Sequence, residues 1–136
     1  MNNQENIMSI LRKLAGWLLI FLFPLALLAE DKPCSSHPKI IGEPFIVHGR
    51  LSLYNGAPSV RLWKIGTNRI LGVSEGRFYV EGIRNLPEAI EEKLTWDTEL
   101  YGDFLVYPFT PSKPGVMQLM CIESVKNLVI KKKQNQ

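Results

Sequence analysis

Residues 45–56, FIVHGRLSLYNG, decide the fold that this sequence predicts. Side chains of opposite character alternate along residues 45–54. One face holds Phe45, Val47, Leu51 and Leu53, and the other holds Ile46, His48, Arg50, Ser52 and Tyr54. A period of two indicates a half-buried β-strand. Asn55-Gly56 then supplies the positive φ angles that a tight turn needs, so we predict a strand that opens a hairpin.

The same alternation continues beyond this turn. It recurs in SVRLWKI, residues 59–65, and the GTN segment at 66–68 turns the chain into a third stretch, residues 69–73. Three glycines, Gly72, Gly76 and Gly82, interrupt the segment GVSEGRFYVEG at residues 72–82. Glycines in strands mark bulges and bends, which a small closed barrel requires. The pattern predicts a three-stranded meander.

One short helix and two further strands are predicted in the second half of the chain. Asn85 and Glu88 resemble a capping arrangement, Pro87 suits a first helical turn, and apolar residues recur at helical spacing, which favours about three turns. Residues 103–109 and 116–130 are typical of strands, separated by the proline-containing TPSKPG. Both faces of MQLMCI are apolar, so we expect the last strand to be central.

Three strands, a helix and two strands follow each other in the order of an OB-like barrel. We therefore predict a mainly β fold with one short helix, a small five- to six-stranded OB-like barrel over residues 45–130. A β-sandwich is the alternative, because it gives much the same pattern. Residues 30–44 combine prolines with charges and predict an irregular lead-in, and residues 131–136 predict a basic disordered tail.

The first 29 residues have the pattern of an export signal. Arg12 and Lys13 precede an apolar run at 14–29, which ends abruptly at Glu30. A membrane-spanning helix needs about 20 apolar residues, so the run favours a signal peptide over an anchor. We expect a periplasmic or secreted protein. The alternative is an uncleaved leader that anchors the body in the inner membrane, facing the periplasm.

The net charge of +3 is unevenly distributed. After residue 29 the chain holds 14 basic and 12 acidic residues, and three of the basic ones are Lys131, Lys132 and Lys133. The predicted body therefore has 11 basic and 12 acidic residues. Broad capture of a polyanion needs a basic face, so nucleic acid is not an expected partner.

Cys34 and Cys121 are the two cysteines of the chain. An even count in an exported protein is compatible with a disulfide, and the sequence leaves open whether the two cysteines are bridged. A free thiol at Cys121 is the alternative, because that residue lies in an apolar strand. Cys34 and His37 are two potential zinc ligands, whereas a structural site needs four, so we expect no metal site.

The candidate ligand-binding residues are cations and one aromatic residue on the first three strands. They are His48, Arg50, Arg61, Trp63 and Arg69. Cations beside an aromatic ring hold a base, a sugar or an anionic group, and OB-like barrels bind oligonucleotides and oligosaccharides on such strand surfaces. Tyr54 would extend the surface. In the alternative interpretation, Trp63 is a core residue and the arginines are solvated strand positions.

Catalytic signals are weak. The chain has no G-x-S-x-G motif, and its two histidines, His37 and His48, have no evident nucleophile beside them. Asp97, Glu99 and Asp103 are the acidic residues that a hydrolase would use. Alternating acidic residues are more typical of a solvated strand edge, so we predict no catalytic residues and no cofactor.

Two blocks of the sequence carry a family resemblance. They are HGRLSLYNGAPSVRLWKIGTNRILGV (48–73) and YGDFLVYPFTPSKPGVMQLMCIESVKN (101–127), and they resemble an uncharacterised family of short exported bacterial proteins. The resemblance implies an envelope or secreted location and transfers no catalytic residues.

These observations together predict an exported, non-enzymatic binding or accessory protein of the bacterial envelope. Its expected partner is an envelope ligand or protein, with membrane contact only through an uncleaved leader. The alternatives are a small envelope hydrolase that uses the acidic residues and a structural protein tethered by its leader.

Overall fold

The computed structural model describes residues 6–10, 12, 31–73 and 76–134. Most of the predicted signal peptide, 1–29, lies outside the described residues, and the parts of it that are described, 6–10 and 12, are helical. Within the described ranges, no helix has the length and apolar character needed to cross a membrane.

Five strands close into a barrel. They are β1 (Phe45–Leu53), β2 (Val60–Lys64), β3 (Ile70–Val73), β4 (Thr98–Pro108) and β5 (Gln118–Lys132). Around the ring their order is β1-β2-β3-β5-β4, and β4 pairs with β1 to close it. Neighbours are antiparallel except β3 and β5, which are parallel. The predicted small, mainly β barrel is confirmed, with a short helix between its third and fourth strands.

The alternation of β1 decides which side chains fill the barrel. Val47 and Leu51 are fully buried and belong to the same apolar core as Leu62 and Phe104. Phe45, which the pattern placed on the buried face, is 37% exposed. It is the first residue of its strand, where the chain has not yet entered the core.

Two facing glycines let the barrel wall bend. Gly49 of β1 pairs with Gly102 of β4. The register between β4 and β5 shifts at this point, since Tyr101 pairs with Val129 but Asp103 with Lys126, which is a β-bulge. A Cβ atom on Gly49 would lie 2.6 Å from Leu62 Cδ1 and 2.9 Å from the Trp63 carbonyl oxygen. The bend therefore depends on the missing side chains.

We expect Gly49→Ala to lower the free energy of unfolding by about 1–3 kcal/mol, because the added methyl overpacks a closed wall. Urea unfolding followed by circular dichroism measures the change. Gly42→Ala is the matched control, since its Cβ would meet Pro108 Cγ at an ordinary 3.5 Å. Equal midpoints for the two variants would contradict the assigned role of Gly49.

The helix is shorter than the sequence indicated. It spans Glu88–Glu91, one turn rather than about three, and Asn85 does not cap it. The Asn85 amide instead donates to the Phe78 carbonyl oxygen at 3.1 Å. After Glu91 the chain continues in tighter turns, since the Lys93 amide donates to the Ile90 carbonyl oxygen and the Leu94 amide to the Glu91 carbonyl oxygen, each at 3.1 Å.

The apolar side chains of this segment nevertheless reach the core. Leu86, Ile90 and Leu94 are buried there, together with Val60 and Leu100. The helical segment therefore packs against the barrel core between β3 and β4, as an OB-like order requires.

The lead-in is fastened to the outside of the barrel. Cys34 and Cys121 form a disulfide with a Cα–Cα distance of 5.9 Å, which decides between the bridge and the free thiol that the sequence left open. His37 is buried, where its Nδ1 accepts from the Lys39 amide at 3.1 Å and its Nε2 donates to the Phe78 carbonyl oxygen at 2.9 Å. The two residues weighed as zinc ligands thus serve packing and covalent cross-linking.

The predicted basic tail begins too early. Lys131 and Lys132 belong to β5, where they pair with Glu99 and Thr98. The Lys133 amide then donates to the Asp97 carbonyl oxygen at 2.7 Å. The physical reason is the start of β4, which begins at Thr98 rather than at Asp103. Its first residues need backbone partners, and β5 continues past Ile130 to supply them.

Candidate functional site

A row of large side chains crosses the outer face of the barrel from β2 through β1 to β4. Arg50 lies opposite Trp63 on one side and opposite Tyr101 on the other. Its guanidinium is 4.9 Å from the centroid of the Trp63 ring, and its Nη2 donates to the Tyr54 hydroxyl at 3.4 Å. The Arg50 side chain is 28% exposed, so the charge is held between aromatic rings but remains accessible.

One carboxylate balances this cation. Glu99 Oε1 lies 3.7 Å from Arg50 Nη1, and Glu99 Oε2 accepts from the Tyr101 hydroxyl at 3.1 Å. Burial on its own lowers the pKa of Arg50, but the hydrogen bond with Tyr54 and the charge of Glu99 outweigh it and raise that pKa above its ordinary value. Arg50 is therefore a permanent, oriented cation.

A second cation–aromatic pair continues the row at the β1–β2 turn. Arg61 lies 5.1 Å from the centroid of the Tyr54 ring, and its Nε donates to the Pro58 carbonyl oxygen at 2.9 Å. Trp63 is half-buried on the outer face, and its Nε1 donates to the Thr67 carbonyl oxygen. Trp63 is thus outside the barrel core, contrary to the alternative interpretation.

The other two predicted residues have different partners. His48 Nδ1 lies 2.8 Å from Asp103 Oδ1 on β4. Arg69 donates to Ser112 Oγ at 2.6 Å and to the Lys113 carbonyl oxygen at 3.3 Å, both in the β4–β5 connection. The structure therefore brings together three of the five predicted residues, Arg50, Arg61 and Trp63, and leaves His48 and Arg69 in separate contacts.

Two of the three acidic residues of the hydrolase hypothesis, Glu99 and Asp103, are separated, and the third, Asp97, is an exposed residue just before β4. Glu99 pairs with Arg50, whereas Asp103 bonds to His48 and Asn127. Four residues of strand place the two Cα atoms about 13 Å apart. The two carboxylates contact different partners, so the structure does not present them as the carboxylate pair that glycoside hydrolases use. Within the described ranges, no group of three acidic, histidine or cysteine side chains is arranged to hold a metal ion.

Hydrogen bonds from Asn127 and His48 hold the pKa of Asp103 below its ordinary value of 3.8. Because the folded-state pKa is depressed, the stabilisation is present above the ordinary value and is lost as the pH falls through the folded-state value. We expect Asn127→Gly, which keeps the left-handed φ of 55°, to raise the pKa of Asp103. An NMR titration of the Asp103 carboxyl carbon measures it. Asn68→Gly is the control. An equal shift of the Asp103 pKa in that variant would contradict the role assigned to Asn127.

The cation row opens onto a groove of about 490 Å³ at the end of β1. The lining side chains come from β1, the β1–β2 turn, the start of β4 and the end of β5. They are Arg50, Ser52, Leu53, Tyr54, Asn55, Trp96, Glu99, Lys133 and Gln134. The groove therefore joins the predicted surface to residues that are distant in sequence.

Two polar atoms among the residues that line this groove lack hydrogen-bond partners within the described part of the chain. They are Ser52 Oγ and Arg50 Nε. Ser52 is 2% exposed, although it lies on the outer face of β1 opposite Arg61. A buried polar group left unpaired costs about 1–3 kcal/mol, and native proteins leave few of them. This part of the groove is therefore not optimised for stability alone.

Lys133 and Trp96 form the side of the groove that sequence reasoning missed. Lys133 Nζ donates to the Leu53 carbonyl oxygen at 3.1 Å and lies 6.0 Å from the centroid of the Trp96 ring. Trp96 is 57% exposed. The sequence pattern predicts Lys133 as part of the tail. The period of two that runs back from Asp103 through Tyr101 to Glu99 was the available signal for an earlier start of β4.

Comparisons with known proteins return no relative. No family model matches the chain, and searches of the curated proteins and of the solved structures give no significant match.

Proposed function

We propose that this protein is an exported, non-enzymatic binding module of the bacterial envelope, and that the groove beside Arg50 holds a small anionic ligand. The observation that carries the proposal is the Arg50 guanidinium, fixed over Trp63 by Tyr54 and Glu99 and open to the groove. A cation that is already oriented loses little conformational entropy when it binds an anion.

Two features support export. The pattern of residues 1–29 is typical of a signal peptide. The Cys34–Cys121 disulfide suits an oxidising compartment such as the periplasm.

The separation of Glu99 from Asp103 favours binding over hydrolysis. Each of these carboxylates has its own basic partner, Arg50 for Glu99 and His48 for Asp103. A ligand in the groove therefore meets Glu99 as one acceptor rather than an acid–base pair.

A thermal-shift experiment with citrate as the probe tests the proposal. At citrate concentrations well above the dissociation constant, we expect the wild-type melting temperature to rise by several degrees, because binding to the folded state stabilises it. Arg50→Gln removes the cation and should abolish the rise, whatever its own melting temperature.

The matched control is Arg69→Gln, an arginine on the same barrel outside the groove. It should keep the full citrate response. A wild-type protein without a response, or an Arg50→Gln variant with an unchanged one, would overturn the proposal.

A further inference from the structure

We infer that the ligand of this groove is an acidic mono- or disaccharide, with its acidic group on Arg50 and Lys133 and a sugar ring on Trp96. The inference rests on the proposed function and adds the ligand class. It follows from the combination of groups in the groove, which a simple inorganic anion does not match.

The carboxylate of Glu99 is the first argument. It lies beside Arg50 in the groove, where it repels a compact anion such as phosphate. Sugar hydroxyls, in contrast, donate hydrogen bonds to a carboxylate and accept them from other groups. A ligand that carries both hydroxyls and an acidic group satisfies Glu99 and Arg50 together.

Ser52 and Arg50 give the second argument. Ser52 Oγ can donate or accept, and Arg50 Nε donates, and neither has a partner within the described residues. Hydroxyl and carboxylate oxygens of a sugar acid supply acceptors on the exposed side of Arg50, next to these two atoms.

Trp96 is the third argument. Its indole is 57% exposed at the side of the groove, with Lys133 Nζ 6.0 Å from the ring centroid, so ring surface beside a cation is open to a ligand. The C–H face of a pyranose ring is apolar and packs on an aromatic face, while the hydroxyls point outward. The groove volume of about 490 Å³ is within the range of small-ligand sites.

Lys133 connects the aromatic and charged parts of the groove. Its backbone amide is held by the Asp97 carbonyl oxygen and its Nζ by the Leu53 carbonyl oxygen. The ammonium is therefore fixed between the β1–β2 turn and Trp96. Arg50 and Lys133 together outweigh the single charge of Glu99, so the groove favours a ligand with a net negative charge.

Isothermal titration calorimetry and tryptophan fluorescence with four probes test this inference. Digalacturonic acid is the acidic saccharide, diacetylchitobiose is a neutral saccharide, citrate is an anion without a sugar ring, and AMP is an anion with an aromatic base. We expect digalacturonic acid to bind about tenfold more tightly than each of the other three.

Variants separate the two halves of the groove. Trp96→Ala should weaken the binding of digalacturonic acid about tenfold and leave the affinity for citrate unchanged. Arg50→Gln should weaken the binding of both ligands. Lys133→Gln, like Arg50→Gln, should weaken the binding of digalacturonic acid. Tyr79→Ala is the control, because Tyr79 is an exposed aromatic residue that does not line this groove.

The outcomes distinguish the inference from the proposed function. If citrate binds as tightly as digalacturonic acid and Trp96→Ala has no effect, the saccharide inference is wrong and the anion site stands. Preference for AMP that depends on Trp96 also overturns the saccharide assignment. If no probe depends on Arg50, the proposed function itself fails.

Discussion

Removing the disulfide lowers the free energy of unfolding by about 4–5 kcal/mol, the largest change that we expect from any variant. Cys34 and Cys121 are 87 residues apart, and on the chain-entropy account a cross-link over such a distance greatly reduces the freedom of the unfolded chain. The bond also holds the lead-in against the outside of β5, where the Phe78 and Phe109 rings stack at 4.5 Å.

Urea unfolding of the Cys34→Ala/Cys121→Ala double variant measures this effect. The same wild-type protein with and without reductant is the control, since reduction should lower the wild-type midpoint and leave the double variant unchanged. Intact mass before and after reduction reports the two hydrogen atoms gained. A wild-type midpoint that is insensitive to full reduction would contradict the structural role of the bond.

Phe104→Ala is expected to lower the free energy of unfolding by about 3–5 kcal/mol. Among the described residues, Phe104 is the largest of the fully buried side chains, and it lies in the main core with Val47, Leu62 and Ile122. Its truncation removes apolar burial and leaves a cavity that a closed barrel collapses onto only in part.

Phe45→Ala is the matched control for Phe104→Ala. Phe45 is the same residue type at the partly exposed start of β1. The Phe45→Ala variant should lose no more than about 1–1.5 kcal/mol of unfolding free energy, since less of the Phe45 surface leaves water on folding. Urea unfolding with a common denaturant slope compares the two. Similar losses would mean that the inner face of β4 has been assigned incorrectly.

Much of the fold follows from local patterns. The alternation over residues 45–54 identifies β1 and its buried face, and the order of strands and helix predicts an OB-like barrel. The beginning of β4 is not predicted from the sequence, because residues 98–102 mix polar, acidic and aromatic side chains, which is typical of a solvated edge. Their partners are at the far end of β5, and no local pattern encodes that pairing.

The predicted length of the helix and the predicted start of the tail are wrong for related reasons. Helical spacing at Leu86, Ile90 and Leu94 was real, but these side chains reach the core from one turn and its flanking bends. The lysines at 131–133 have the composition of a solubilising terminus. In the structure they pair with the beginning of β4 and with the residue before it. Tertiary contacts decided both cases.

Part of the candidate site can be predicted from the sequence. Pairing β1 with β2 is enough to place Arg50 beside Trp63, and the sequence indicated that hairpin. Trp96, Glu99 and Lys133 join the groove only when the barrel closes through β4 and β5. Ser52 gave no signal at all, because an outward serine on a strand is ordinary until its burial is known.

The most direct test of the central claim, that Arg50 is the anchor of a binding groove, is an NMR titration of the arginine Nε–H resonances with digalacturonic acid and, separately, citrate. We predict that the Arg50 signal and the backbone amides of Ser52 and Lys133 shift in a saturable way, while the Arg69 signal stays in place. Saturable shifts confined to other parts of the barrel, with the Arg50 signal unchanged, would contradict the account.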